Sequence, residues 1–317
     1  MIAIKAESVE GTPETLTASE VVHPVYDADW TPEYQNHERN STGASFAQYA
    51  GVTGERTATI KFTVELKGAG AASAPPCTAA GFLASGMQLS TLTYYPASGG
   101  IGSATVAMYE GDGFATTGKI FQIHGARGTY DLVYELGQIV RVNFTFQGVY
   151  NAPTDGTMLA VPVTSTFQIV PQSFFGTAVT FTANFGGAVT TLKVTSVKFN
   201  AGNTLAARKG ALLTNGVFSF LITGRKPAGE FTFETEAVST IDPFVIKTGD
   251  TLGAVTVVVN GGTNNTSTLS IVKAHVTDVK QGNADGIATT TVSFMATQDP
   301  TLDPTVAANT EYSIAFS

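Results

Sequence analysis

From Tyr130 to Phe146 the large apolar side chains fall on every second residue. Tyr130, Leu132, Tyr134 and Leu136 alternate with Asp131, Val133 and Glu135; beyond Gly137, Val140, Val142, Phe144 and Phe146 repeat the pattern. A period of two belongs to a strand with one buried face, because successive side chains leave an extended backbone on opposite sides. Two such runs, closed by glycine at each end, read as an antiparallel pair joined by a turn. Residues 121–150 therefore demand a sheet to join and an apolar layer to cover it.

The rest of the chain supplies more of the same. Ala58, Ile60, Phe62 and Val64 alternate with Thr59, Lys61, Thr63 and Glu65, giving a strand over 57–66. Further strands are expected at 21–26, 89–95, 104–110 and 119–124, with a hairpin turn at Glu110-Gly-Asp-Gly113. The one helix expected in this half spans Pro75–Gly86, with proline in its first turn and glycine past its end. Residues 31–56 hold Pro32, Asn36, Asn40, Gly43, Gly51 and Gly54 and read as a long loop; Phe46 and Tyr49 imply that it covers something. Residues 151–162 (NAPTDGTMLAVP) read as a linker. With 317 residues the chain has room for two domains or one large one.

Beyond the linker the order of elements returns. Strands at 193–199, 218–225 and 229–235 echo 21–26 and 57–66. Strands at 254–259, 268–275 and 289–297, with a turn at 260–265, echo 104–110, 119–124 and 139–147. Two copies of one β-sandwich are the economical reading. In the second copy Asp242-Pro243-Phe244 stands where the first has its Pro-Pro-led helix, and the loop between Asn200 and Gly216 is shorter.

The segments Gly125-Ala-Arg-Gly128 and Phe144-Thr-Phe-Gln-Gly-Val-Tyr150 carry a resemblance, as do the Gly11-Thr12-Pro13 turn before the first strand, Thr223–Phe233 and Asp285-Gly-Ile-Ala288. Together they resemble the major tail tube protein of long-tailed (siphovirus-type) phages and prophages, in the version with two tandem domains. The resemblance implies an all-β fold: two tail-tube-type β-sandwich or barrel domains, 1–155 and 156–317, with a short helix in the first. It also implies that 31–56 is an inter-ring contact loop. The implied function is structural. The chain would self-associate into rings, trimers with pseudo-sixfold symmetry, stacked into a tube through which DNA is ejected. Implied partners are further copies of the chain, the tape-measure, terminator and tail-tip proteins, and genomic DNA passing without specific binding. The implied location is the virion tail, assembled in the host cytoplasm. Ring or inter-ring contacts are expected from Arg127, Gly125, Gly128, Tyr34, Phe46 and Tyr49. Arg127 has two readings: a bidentate reach to a neighbouring copy, or a salt bridge inside its own domain.

The acidic charge has two readings: ordinary solubility or, under the resemblance, a conduit that repels DNA. Lys and Arg number 17 against 25 Asp and Glu, and residues 1–155 alone hold 8 against 15. Tight nucleic-acid binding needs a basic stripe, which an acidic chain lacks. No apolar run approaches the roughly 20 residues of a membrane helix, and Met1-Ile-Ala-Ile-Lys-Ala-Glu lacks a signal peptide's apolar core. The single cysteine, Cys77, excludes an intrachain disulfide and reads as a small buried residue. The four histidines are scattered, and His124 and His275 fall near equivalent places in the two copies, a shared structural slot rather than a metal site. There is no G-x-S-x-G elbow and no Walker-type loop, and Asp27-x-Asp29 reads as turn chemistry. No enzymatic activity, cofactor, metal or membrane contact is expected. The competing reading is a virion adhesin or carbohydrate-binding sandwich, which should cluster exposed aromatics on one loop set; here the lone Trp30 and most Tyr and Phe lie in or beside strands.

Overall fold

The structure is a computed structural model that describes residues 1–39, 48–76, 78–111, 116–161, 169–189, 191–299 and 310–317. Cys77 and Phe46 lie outside the described residues, as do Asp112 and Gly113 of the turn expected at Glu110–Gly113. Strands take 60% of the chain and helix 6%, so the all-β expectation holds.

The first half runs β1 (Ile2–Ala6), β2 (Val21–Val22), β3 (Val25–Arg39), β4 (Tyr49–Glu65), α1 (Ala79–Ala84), β5 (Met87–Ser90), β6 (Thr93–Pro96), β7 (Ala104–Glu110), β8 (Thr117–Glu135), β9 (Arg141–Tyr150) and β10 (Thr154–Thr157). The second runs β11 (Val179–Asn184), β12 (Ala188–Val189), β13 (Val194–Asn200), β14 (Asn203–Lys209), β15 (Val217–Arg225), β16 (Ala228–Glu234), α2 (Pro243–Thr248), β17 (Leu252–Asn260), β18 (Thr266–Ala284), β19 (Ile287–Thr297) and β20 (Tyr312–Phe316).

The strand pair at 121–150 forms as its alternation requires. Tyr130 pairs with Phe144 and Leu132 with Val142, and all four side chains are buried. Leu136 departs from the pattern: the strand ends at Glu135, and Leu136 points out of the turn, 58% exposed. The segments 119–124 and 130–135 prove to be one strand, β8, bent by a bulge between His124 and Arg127.

Several expected loops are paired strands. Most of residues 31–56 belongs to a long hairpin, with Trp30 opposite Ile60, Tyr34 opposite Arg56 and Arg39 opposite Tyr49. The linker holds β10, whose Thr154–Thr157 pair with β8. The polar loop after Asn200 holds β14, paired with β15. Residues 89–95 form two short strands around Thr91, which has a left-handed backbone (φ 58°). The acidic opening contains β1, paired with β7 along its whole length.

Strand pairing repeats between the halves. In the first, β3, β4, β9, β8, β7 and β1 are neighbours in that order. In the second the order is β13, β16, β19, β18, β17 and β11. The helix that the sequence denies to the second copy is present: α2 starts at Pro243, and the Asp242 carboxylate accepts from the amides of Phe244 and Val245. It stands between β16 and β17 as α1 stands between β4 and β7.

The halves share one core. Phe82 of α1 meets Tyr94, Tyr130 and Phe144 at ring-centroid distances of 5.1, 5.0 and 5.5 Å. Phe199 of β13 packs on Tyr312 of β20 at 4.7 Å, and the Tyr312 and Tyr130 hydroxyls lie 2.9 Å apart. Burial raises the pKa of both phenols far above the ordinary tyrosine value, so each stays a neutral hydrogen-bonding group.

Candidate assembly interface

The two halves meet edge to edge. One edge of β8 carries β7 along 119–126, then exchanges it for β13, with Asp131–Glu135 opposite Ser196–Asn200. The other edge of β8 carries β10 and then β9. This seam makes a continuous sheet, β3-β4-β9-β8-β13-β16-β19-β18.

The sheet ends on two edges that match the two sides of the seam. β18 stands where β8 stands. It carries β17 along 252–260 only as far as His275, while β19 continues to Ala284 on its other side. Among the described residues, the edge of β18 from Val276 to Ala284 that β13 would occupy by analogy has no partner strand. β3 stands where β13 stands: it pairs with β4, and its other edge has no partner strand among the described residues. An edge of unpaired N–H and C=O groups is a template for another strand.

The outward face of this sheet is polar. A shallow concavity of about 530 Å³ crosses the seam, lined among others by Asp131, Asn143, Lys198, Asn200, Glu230 and Ser293. Within it Lys198 reaches Glu230 at 3.4 Å, and elsewhere on the sheet Lys280 reaches Asp278 at 3.2 Å. Burial raises the Asp131 carboxyl, opposed by a hydrogen bond from Asn200.

The Gly125–Gly128 bulge of β8 packs against the N-terminal arm and the β14–β15 hairpin. Gly125 has φ +56°, and a Cβ there would sit 2.8 Å from the carbonyl oxygen of Phe218. Its amide donates to Glu7 Oε1 at 2.6 Å, and the Glu7 carboxylate also accepts from Ser103, Thr105 and the Gly11 amide. At Gly128 a Cβ would meet the Phe146 ring at 2.5 Å. The buried Arg127 guanidinium donates to Glu10 (2.9 Å), to the Ile101 carbonyl (2.7 Å) and to the Phe220 carbonyl. Glu10 also accepts from Arg208 and Ser219. Partial burial pushes the Glu10 carboxyl up, but hydrogen bonds from Arg127 and Ser219 and the Arg127 charge outweigh it and hold the pKa low. Arg127 is thus engaged inside its own chain. Its partners come from the arm (Glu10), from the first half (Ile101) and from the second half (Phe220).

Of the other residues singled out in the sequence, Tyr34 and Tyr49 stand on the β3–β4 hairpin. Tyr34 is 45% exposed with its ring edge against Tyr150, and Tyr49 is 56% exposed under the Arg39 guanidinium. His124 and His275 do not share a slot. His124 opposes Val149 at the bulge, and burial lowers its pKa; His275 opposes Met295 and pairs with Asp250 at 3.2 Å. Among the described residues no group of three or more His, Cys, Asp or Glu is placed to hold a metal ion. Sequence reasoning missed Glu7 and Glu10. Their signal was an acidic arm carrying two carboxylates three residues apart, which a buried Arg would need as a counter-charge.

No protein-family model matches this chain, and no curated protein matches it.

Proposed function

We propose that the chain is a structural subunit that polymerises with copies of itself, the edge of β18 of one copy pairing with the edge of β3 of the next. The β8–β13 seam carries this reading: it is a finished example, inside one chain, of the junction that the two open edges would make. Heterologous contacts of this kind close into rings when the rotation per copy fits. Each copy brings two similar units, so three copies give six around an axis, and the fused sheets form a barrel without free edges. The polar, charge-paired face then lines the channel, which suits DNA that must pass without sticking. Stacked rings of this form make the tail tube of a long-tailed phage or prophage, with the tape-measure, terminator and tail-tip proteins as further partners.

Proline scanning across Val279–Gly282 tests the edge. At positions whose N–H points away from β19, proline removes no bond of the monomer but blocks an added strand. Those variants are expected to melt within a few degrees of the parent chain and to run as monomers under conditions where the parent assembles. Assembly unaffected by every proline that leaves the fold intact would contradict the reading.

A further inference from the structure

At the seam, strand pairing is backed by a joined core. Tyr130, Leu132 and Tyr134 of β8 and Val197 and Phe199 of β13 are fully buried. Behind them Phe199 packs on Tyr312, whose hydroxyl meets that of Tyr130, and Phe82 of α1 lies against the Tyr130 ring. The second half also covers the C-terminal end of α1. Asn203 donates to the Ser85 carbonyl at 2.6 Å, and a Cβ on Gly86 would stand 2.9 Å from Ile222 Cδ1.

The same core reaches both open edges and is only partly covered at each. On β3, Val25 and Trp30 pack against it while still partly exposed. Trp30 lies opposite the buried Ile60, on the core face of the sheet, with its ring 4.9 Å from Phe121 and 5.9 Å from Tyr150. At β18 the partly covered residues are Val279 and Ile246 of α2. This helix packs on β18 and leads into β17 at Leu252, opposite His275, where the open edge begins. Its Phe244 and Val245 side chains are 47% and 63% exposed. Large apolar side chains left side by side at the end of a core mark a contact surface.

We infer that Phe244 and Val245 of α2 seat against the Trp30 end of the core of a second copy of this chain, in the same ring. The inference rests on the ring reading and adds a core contact behind its paired edges. The occupant follows from the pairing. Once the edge of β18 takes up β3, the helix beside one edge and the tryptophan beside the other meet on the core side of the sheet. Register agrees. With Val142-Asn-Phe144 of β9 matched to Val292-Ser-Phe294 of β19, Trp30 falls at the level of Ala201. Ala201 is the seam residue whose amide donates to the Tyr130 carbonyl, two before the Asn203 that reaches α1. A buried aromatic anchor of this kind carries much of the energy of an interface.

Trp30 is the single tryptophan, so its emission reads the contact in the unaltered full chain. That emission is expected to move to the blue as the chain assembles. Phe244→Asp and Val245→Asp, at exposed positions, are expected to melt with the parent. Each should raise the concentration for half-assembly roughly tenfold or more, and remain at the monomer mass where the parent forms rings. Emission unchanged on assembly, or both variants assembling at the parent's concentration, would overturn the inference and leave the ring reading intact. Discrete single rings from either variant would place α2 between rings and overturn it in the same way. A parent chain that stays monomeric at every concentration overturns both.

Discussion

At the scale of single residues, the contacts around Gly125–Gly128 set what substitutions there report. Arg127→Ala removes the counter-charge of Glu10 and leaves the Phe220 and Ile101 carbonyls without a donor. A cost of about 3 kcal/mol is expected from such buried groups, measured as a lower urea midpoint. Gly125→Ala combines a left-handed backbone with a Cβ driven into the Phe218 carbonyl, and should cost at least ~1–2 kcal/mol by the same measurement. A midpoint unchanged by both would mean that the arm and the β14–β15 hairpin do not sit as described. The arm also carries a pH dependence. Hydrogen bonds from the Ser8 hydroxyl and amide, with the Lys5 ammonium beside them, lower the Glu14 carboxyl from 4.5 to about 2. A carboxyl depressed in the folded state stabilises fully above its unfolded value, and that contribution fades as pH falls from 4.5 toward 2. Glu10 shifts in the same direction. A carboxyl-carbon NMR titration should place the Glu14 midpoint near 2, and Glu14→Gln should flatten the loss of stability in that window; a midpoint at 4.5 would contradict the Ser8 contacts.

At the scale of elements, α1 fastens the first half through one side chain. Phe82 is fully buried among Tyr94, Tyr130 and Phe144. Phe82→Ala should cost about 3–5 kcal/mol, read by thermal or urea unfolding. Elements with one buried and one polar face were legible in the sequence: 57–66, 104–110, 139–147 and 254–259 all form where their alternation places them. Elements legible only through their partners were not. Residues 33–39 and 49–53 are exposed on both faces as paired strands, so no apolar period marks them, and the proline and glycines in and beside them read as loop. The helix at Pro243–Thr248 has one turn and a half and only Pro243 buried, too short for a helical period to emerge, although Asp242-Pro243 is a cap signal. The seam at Asp131–Glu135 was invisible for another reason. Edge-to-edge pairing is made by backbone groups that every residue carries.

At the scale of the whole molecule, the pairing order β3-β4-β9-β8-β7-β1 and its repeat β13-β16-β19-β18-β17-β11 give the chain two similar units joined by a junction that its two ends can make again. A monomer built this way holds one satisfied seam and, among the described residues, two open edges of the same kind, which the proposed polymerisation would satisfy without new chemistry. Electron microscopy of the purified full chain, with its solution mass measured on the same sample, tests this most directly. The account predicts rings or tubes with a central channel and a mass of three chains per layer. A discrete monomer that never associates on concentration would contradict it, and a ring of six chains would refute the reading of two equivalent units per chain.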